Sequence, residues 1–339
     1  MPLRRAFLVL ALAGWSAGCA DLIGADFDVH PADAGAGAGG GGGGGGSCAD
    51  AHCVEVFAEH QAYPWDVLVR DGAVYWTVAG TTPSNGAVMK KSAAGGDPIT
   101  LAGGLNAPNR VAVGAGYVWW TSYVAGGGVL RVAAGGGEPE VFITEPGGAL
   151  GLLIEGDEVY YTAGGRVRRR AVAAGPGEGE VISGEHNAPS LLVSDGRYLY
   201  FGEFFDPGQV IRLDPATKEE MVLATGQANP DGMALASEKY LVFANAADDG
   251  SINLVDVNKG EPGVIKAHQS MPTTVAIGGD FVYWPSFGAG TVSRVLWGTS
   301  GTITTIAAGQ ASPNGLTLDE THVYWTNFDP DGAVMRALR

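Results

Sequence analysis

The chain is poor in the residues that do most enzyme chemistry. It has only 3 Cys and 6 His in 339 residues, and only 17% of its residues are charged. Two Cys beside one His, as at Cys48, His52 and Cys53, do not complete a tetrahedral metal set. No nucleophile elbow, Walker loop, dinucleotide glycine fingerprint or HExxH helix occurs. Basic residues are the scarcer sign, 20 against 36 acidic, for a net charge of −16. Such a surface repels phosphate backbones and argues against a nucleic-acid partner. Long apolar runs are also missing. The one candidate, Ala6–Trp15, is too short to span a bilayer.

What the chain has in quantity is glycine, 55 residues, and aliphatic and aromatic side chains enough for a core. The first residues read as an export signal: Arg4 and Arg5, the short apolar run, then the small residues Ser16, Ala17 and Gly18. Ser16-Ala17-Gly18-Cys19 resembles a bacterial lipobox, with Ser16 standing where Leu is usual. The resemblance implies cleavage before Cys19 and a diacylglycerol on its thiol. Cys48 and Cys53 are then left as a pair, expected as a disulfide in an oxidising compartment. Asp-containing segments and eight consecutive glycines, Gly39–Gly46, follow the signal. Such a stretch buries no apolar surface and acts as a flexible tether of roughly 30 Å. The expected organisation is residues 1–18 signal, 19–47 lipidated Cys and tether, and 48–339 the folded domain, exported and held at a bacterial envelope, on the outer membrane. Lipid is the only expected membrane contact, and a monomer is expected.

The folded part repeats. Paired bulky residues recur at Tyr75-Trp76, Trp119-Trp120, Tyr160-Tyr161, Tyr200-Phe201, Val242-Phe243, Tyr283-Trp284 and Tyr324-Trp325. Their second members lie 44, 41, 40, 42, 41 and 41 residues apart. A period near 40 indicates one supersecondary unit used seven times. Each unit reads as four short strands joined by turns such as Asp71-Gly72, Asn85-Gly86 and Gly95-Gly96. Seven such units predict an all-β, seven-bladed propeller. The last unit stops at Arg339 after its third strand, while Val54–Ala58 precedes the first unit with no unit of its own. It is expected to pair beside Ala333–Arg336 and close the ring, burying Val54, Val56 or Phe57.

Val74-Tyr75-Trp76-Thr77 and Val323-Tyr324-Trp325-Thr326-Asn327 resemble the YWTD repeats of lipoprotein-receptor propellers, and the repeat domain as a whole is YWTD/NHL-like. Pro313-Asn314-Gly315-Leu316 and Asp331-Gly332-Ala333-Val334-Met335-Arg336 extend the likeness. That family usually has six blades, and the Asp of its signature is replaced here by Val78, Ser122, Ala163 or Asn327. The resemblance therefore implies the architecture and carries no receptor function.

Alternation along a strand sends the two rings of each pair to opposite faces, so Trp76, Trp120, Trp284 and Trp325 are expected between blades. Two sets of loop residues remain as site candidates. The loops between second and third strands carry Glu203, Phe204, Phe205 and Asp206, then Asp248 and Asp249, Phe287, and Phe328, Asp329 and Asp331. Aromatics beside carboxylates suit a peptide, sugar or cationic ligand. The inter-blade loops carry Asp66, Asn109, Asp231 and Asn314, whose oxygens suit a hard cation such as Ca2+ in the central channel; as Asp and Asn, they also make good turns. His60, His186 and His268 precede inter-blade prolines, and Arg166, Arg168, Arg169 and Arg170 form the one basic cluster. The expected function is non-catalytic binding of an envelope or extracellular protein, peptide or glycan, with no cofactor. The alternative is a metal-dependent propeller hydrolase, lactonase or lyase.

Overall fold

The computed structural model describes residues 53–298 and 301–339, so the signal, Cys19, the tether and Cys48 lie outside the described residues. The described residues form seven antiparallel sheets of four strands each. Blade 1 consists of Pro64–Arg70, Ala73–Val78, Gly86–Ser92 and Ile99–Leu105. Blades 2 to 6 repeat this plan over 108–144, 152–181, 189–227, 230–269 and 276–307. The first strands of neighbouring blades touch one another around the whole ring, which makes them the innermost.

Blade 7 takes Pro313–Leu318, His322–Asn327 and Gly332–Leu338 from the C-terminus and Glu55–Gln61 from the N-terminal side. The register is Glu55 opposite Arg336, Val56 opposite Met335, Ala58 opposite Val334 and Gln61 opposite Gly332. The strand is longer than the expected Val54–Ala58, and its burial differs. Phe57 and Ala58 are buried while Val56 is 56% exposed. A bulge between Val56 and Ala58 interrupts the alternation, so two successive side chains turn inward.

The paired bulky residues explain the ring. Seven apolar clusters fill the seven gaps, and each joins the first member of one pair to the second member of the next. Tyr75 meets Trp120, Trp119 meets Tyr161, Tyr160 meets Phe201, and Tyr200 meets Phe243. Val242 meets Trp284, Tyr283 meets Trp325, and Tyr324 meets Trp76 across the seam. The Thr that follows a pair adds a polar latch. Thr326 Oγ1 donates to Trp65 O in blade 1 at 3.0 Å and accepts from Gly315 N at 2.9 Å. Thr77 and Thr121 likewise reach Asn109 O and Leu150 O in the next blade. The Tyr-Trp-Thr signature thus encodes apolar contact on both faces and a hydrogen bond to the next inner strand.

Indole N–H groups buried in these gaps need acceptors. Trp76, Trp284 and Trp325 donate to Gln61, Gln269 and Gln310, at 2.8, 3.1 and 3.0 Å. Each Gln stands three residues before an inter-blade Pro and so fixes the loop that leads to the next inner strand.

Candidate functional site

Loops between second and third strands share one face of the disc with the inter-blade loops. Their fit is tight. A Cβ on Gly332 would lie 2.7 Å from Pro64 Cδ, and one on Gly250 2.7 Å from Pro272 Cδ, so only glycine lets loop and proline pack there. The residue before each inter-blade Pro has positive φ: Tyr63, Ala107, Ala188, Asn229, Met271 and Ser312, at 44 to 54°. Non-glycine residues held in this region store strain, which recurs at ligand-facing positions.

Four rings gather on this face where blades 6, 7 and 1 meet. Phe328 packs on Tyr63 at 5.0 Å, edge-on to Trp65 at 5.1 Å and 87°, and against Phe287 at 6.4 Å. All four are half-buried. Asp329 and Asp331 follow Phe328 directly. Asp331 Oδ1 lies 2.8 Å from His60 Nδ1, and this hydrogen bond raises the pKa of the exposed imidazole. His268 and Asp249 repeat the pair in blade 5 at 2.9 Å.

The remaining loop candidates are placed differently. Asp248 is exposed and Phe205 is 49% exposed. The ring group includes neither Phe204 nor Phe205, and Asp206 precedes a cis proline. Glu203 is buried, with Oε1 accepting from Asn187 N and lying 3.2 Å from His186 Nδ1. His186 Nε2 lies 3.1 Å from Glu220 and its ring packs on Phe201, so this His binds blade 4 to the end of blade 3. The four-blade stretch of loop residues is therefore not one cluster. Its aromatic centre is at blades 6, 7 and 1.

At the channel mouth, Asp66 and Asp231 face each other from blades 1 and 5 with Arg110 of blade 2 between them. The guanidinium lies 3.3 Å from Asp231 Oδ1 and 3.9 Å from Asp66 Oδ1, and Asp66 Oδ2 accepts from Val111 N. Burial pushes both carboxyls above the usual range, and Arg110 opposes the shift. Asn314 Nδ2 donates to Trp65 O, while Asn109 is buried with its Oδ1 unpartnered. Among the described residues no three His, Cys, Asp or Glu side chains converge as a metal set. The place between the carboxylates is held by a cationic side chain.

The basic cluster on blade 3 is spent internally. Arg166 pairs with Glu185, Arg169 with Glu180 and Arg168 with Glu145, and Arg170 donates to four backbone carbonyls. Sequence reading did not find Tyr63 or the ion triad centred on Arg110. Tyr63 belongs to a positive-φ position otherwise filled by Ala, Asn, Met or Ser, so a ring there is the departure from the repeat that marks it.

No family profile and no curated protein matches the chain. Solved structures do match in fold. Virginiamycin B lyase from Staphylococcus aureus is 15% identical with a TM-score of 0.68, covering 85% of this chain and 99% of its own. U3-55K is 16% identical with a TM-score of 0.69, over 84% of this chain and 98% of its own. The RRP9 WD40 repeats are 17% identical with a TM-score of 0.68, over 84% and 97%. The shared architecture is the seven-bladed β-propeller. At these identities the likeness shows fold alone.

Proposed function

We propose that the chain is a non-catalytic binding module, exported and held at the bacterial envelope by lipid on Cys19, that takes a protein, peptide or glycan on its loop face. The observation that carries this reading is the ring group of Tyr63, Trp65, Phe287 and Phe328 beside the channel mouth, with Asp329 and Asp331 at its rim. Half-buried aromatics rimmed by carboxylates offer large contact area with polar handles. Similar folds belong to a lyase and to WD40 repeats, so fold alone does not choose between catalysis and binding. The metal-dependent alternative relies on Asp66, Asn109, Asp231 and Asn314, and the Arg110 guanidinium between its two carboxylates favours the binding reading. A Cys48–Cys53 disulfide would brace the start of the closing strand; two free thiols in non-reduced peptides of the exported protein would reject it.

The test is binding of the full chain, carrying Cys19→Ser for solubility, to arrays of peptides and glycans, beside the same chain with Phe328→Ala. Ligands held by the first and lost by the second support the reading. Identical binding by both removes the ring group from it. Turnover of a lactone that chelation abolishes and calcium restores would establish the alternative.

A further inference from the structure

The loop face is acidic in its loops; the nearest cations, Arg110 and Arg166, stand on the adjoining strands, paired with Asp66, Asp231 and Glu185. Its second-to-third strand loops and inter-blade loops contain Asp206, Asp248, Asp249, Asp329, Asp331, Glu145 and Glu185, and not one Lys or Arg. The opposite face mixes signs, with Arg197, Lys218, Lys239 and Lys259 in its turns. A net charge of −16 alone does not produce this difference between two faces of one disc. A second observation is independent of charge. Asn327, nine-tenths buried, ends its strand immediately before Phe328; its Nδ2 donates to Gln310, and its Oδ1 has no partner. Asn245 repeats this in blade 5, with Nδ2 on Gln227 and Oδ1 unpartnered. Asn109 Oδ1 at the channel mouth is a third buried acceptor without a protein partner, and Trp65 Nε1 is a buried donor without one. Buried polar atoms in this state call for a partner, from ordered water or from a bound group.

We propose that this face docks a basic peptide segment of a partner protein, with Lys or Arg side chains over the rings. The inference rests on the reading of the loop face as the binding surface and adds the chemistry of its partner. Guanidinium and ammonium groups carry only donors, which matches the carboxylates of the loops. The π faces of Phe328, Phe287, Tyr63 and Trp65 attract a cation.

The experiment is retention of three short-peptide pools, alike except for fixed Arg, Gln or Glu positions, by the full chain. The Arg pool should be held about tenfold more tightly than the Gln pool, weaken with salt, and lose that margin in Asp248→Asn/Asp329→Asn and in Phe328→Ala. The same double change on the opposite face, Asp71→Asn/Asp280→Asn, should leave the margin intact. Equal retention of Arg and Gln pools, with loss in Phe328→Ala, overturns the basic-peptide assignment and keeps the face. An Arg preference that opposite-face changes reduce equally overturns it as mere net-charge attraction. No retention of any pool, or retention of every pool unchanged by Phe328→Ala, overturns both.

Discussion

At the scale of single residues, two kinds of polar contact hold the centre. Arg110 neutralises two buried carboxylates from different blades, and breaking such a set by removing one member costs about 3–5 kcal/mol. Arg110→Met should therefore be strongly destabilising, with a pH signature. Burial raises the pKa of Asp66 and Asp231 above the unfolded value. A raised carboxyl contributes stability fully present below the unfolded pKa and lost as pH rises through the folded pKa. Arg110 offsets that loss, so the deficit of Arg110→Met should be greatest at neutral pH and shrink as acid protonates the pair. Urea unfolding of both proteins across pH measures it, and a deficit independent of pH would show that the guanidinium does not act by neutralisation. The second contact is the Thr latch. Thr326→Val leaves Gly315 N without its acceptor and Trp65 O with Asn314 Nδ2 as its one remaining side-chain donor, and should cost about 1–3 kcal/mol, while Thr326→Ser should recover most of it. Equal unfolding midpoints for the Val and Ser variants would show that the hydroxyl contributes no more than the methyl group.

At the scale of elements, the closing strand decides whether seven sheets make a ring. The Asp- and Gly-rich stretch that ends at Ser47 has little apolar surface to bury, so its deletion should leave the melting temperature nearly unchanged. Deletion to Glu59 removes Phe57, whose burial is worth about 1.5–3 kcal/mol, and the Arg336–Glu55 ion pair. It also bares Gly332–Leu338 as an unpaired edge prone to aggregation. Equal melts for the two truncations would show that Glu55–Gln61 contributes nothing to closure. The strand and its partner were legible because the last repeat lacked a fourth strand. Which of its side chains point inward was not, because a bulge changes alternation without a residue type that announces it.

At the scale of the whole molecule, the proposed anchor lies in the segment ahead of the propeller. Cys19→Ser should move the protein out of the membrane fraction and abolish acyl labelling. A wild-type protein that is already soluble and unlabelled would remove the anchor from the proposal. The disc itself presents two unlike faces, and among the described residues only one combines aromatics and carboxylates with buried acceptors that lack a protein partner. Each blade contributes too little to show this alone; the ring makes it by bringing Phe287, Phe328 and Tyr63 from three successive units to one place.

The sequence by itself determined the repeat, the blade count, the closing pair of strands and the inter-blade burial of the aromatic pairs. Those follow from local physics: strand alternation, turn residues and a period near 40, all of which act over a few residues and leave a pattern in the chain. Tertiary structure alone decided the site. Asp66, Arg110 and Asp231 come together from blades 1, 2 and 5, and Tyr63 meets Phe328 across the seam between chain ends. Contacts that depend on a side chain unique to its blade leave no periodic trace, because they are set by how seven twisted sheets pack around a common axis.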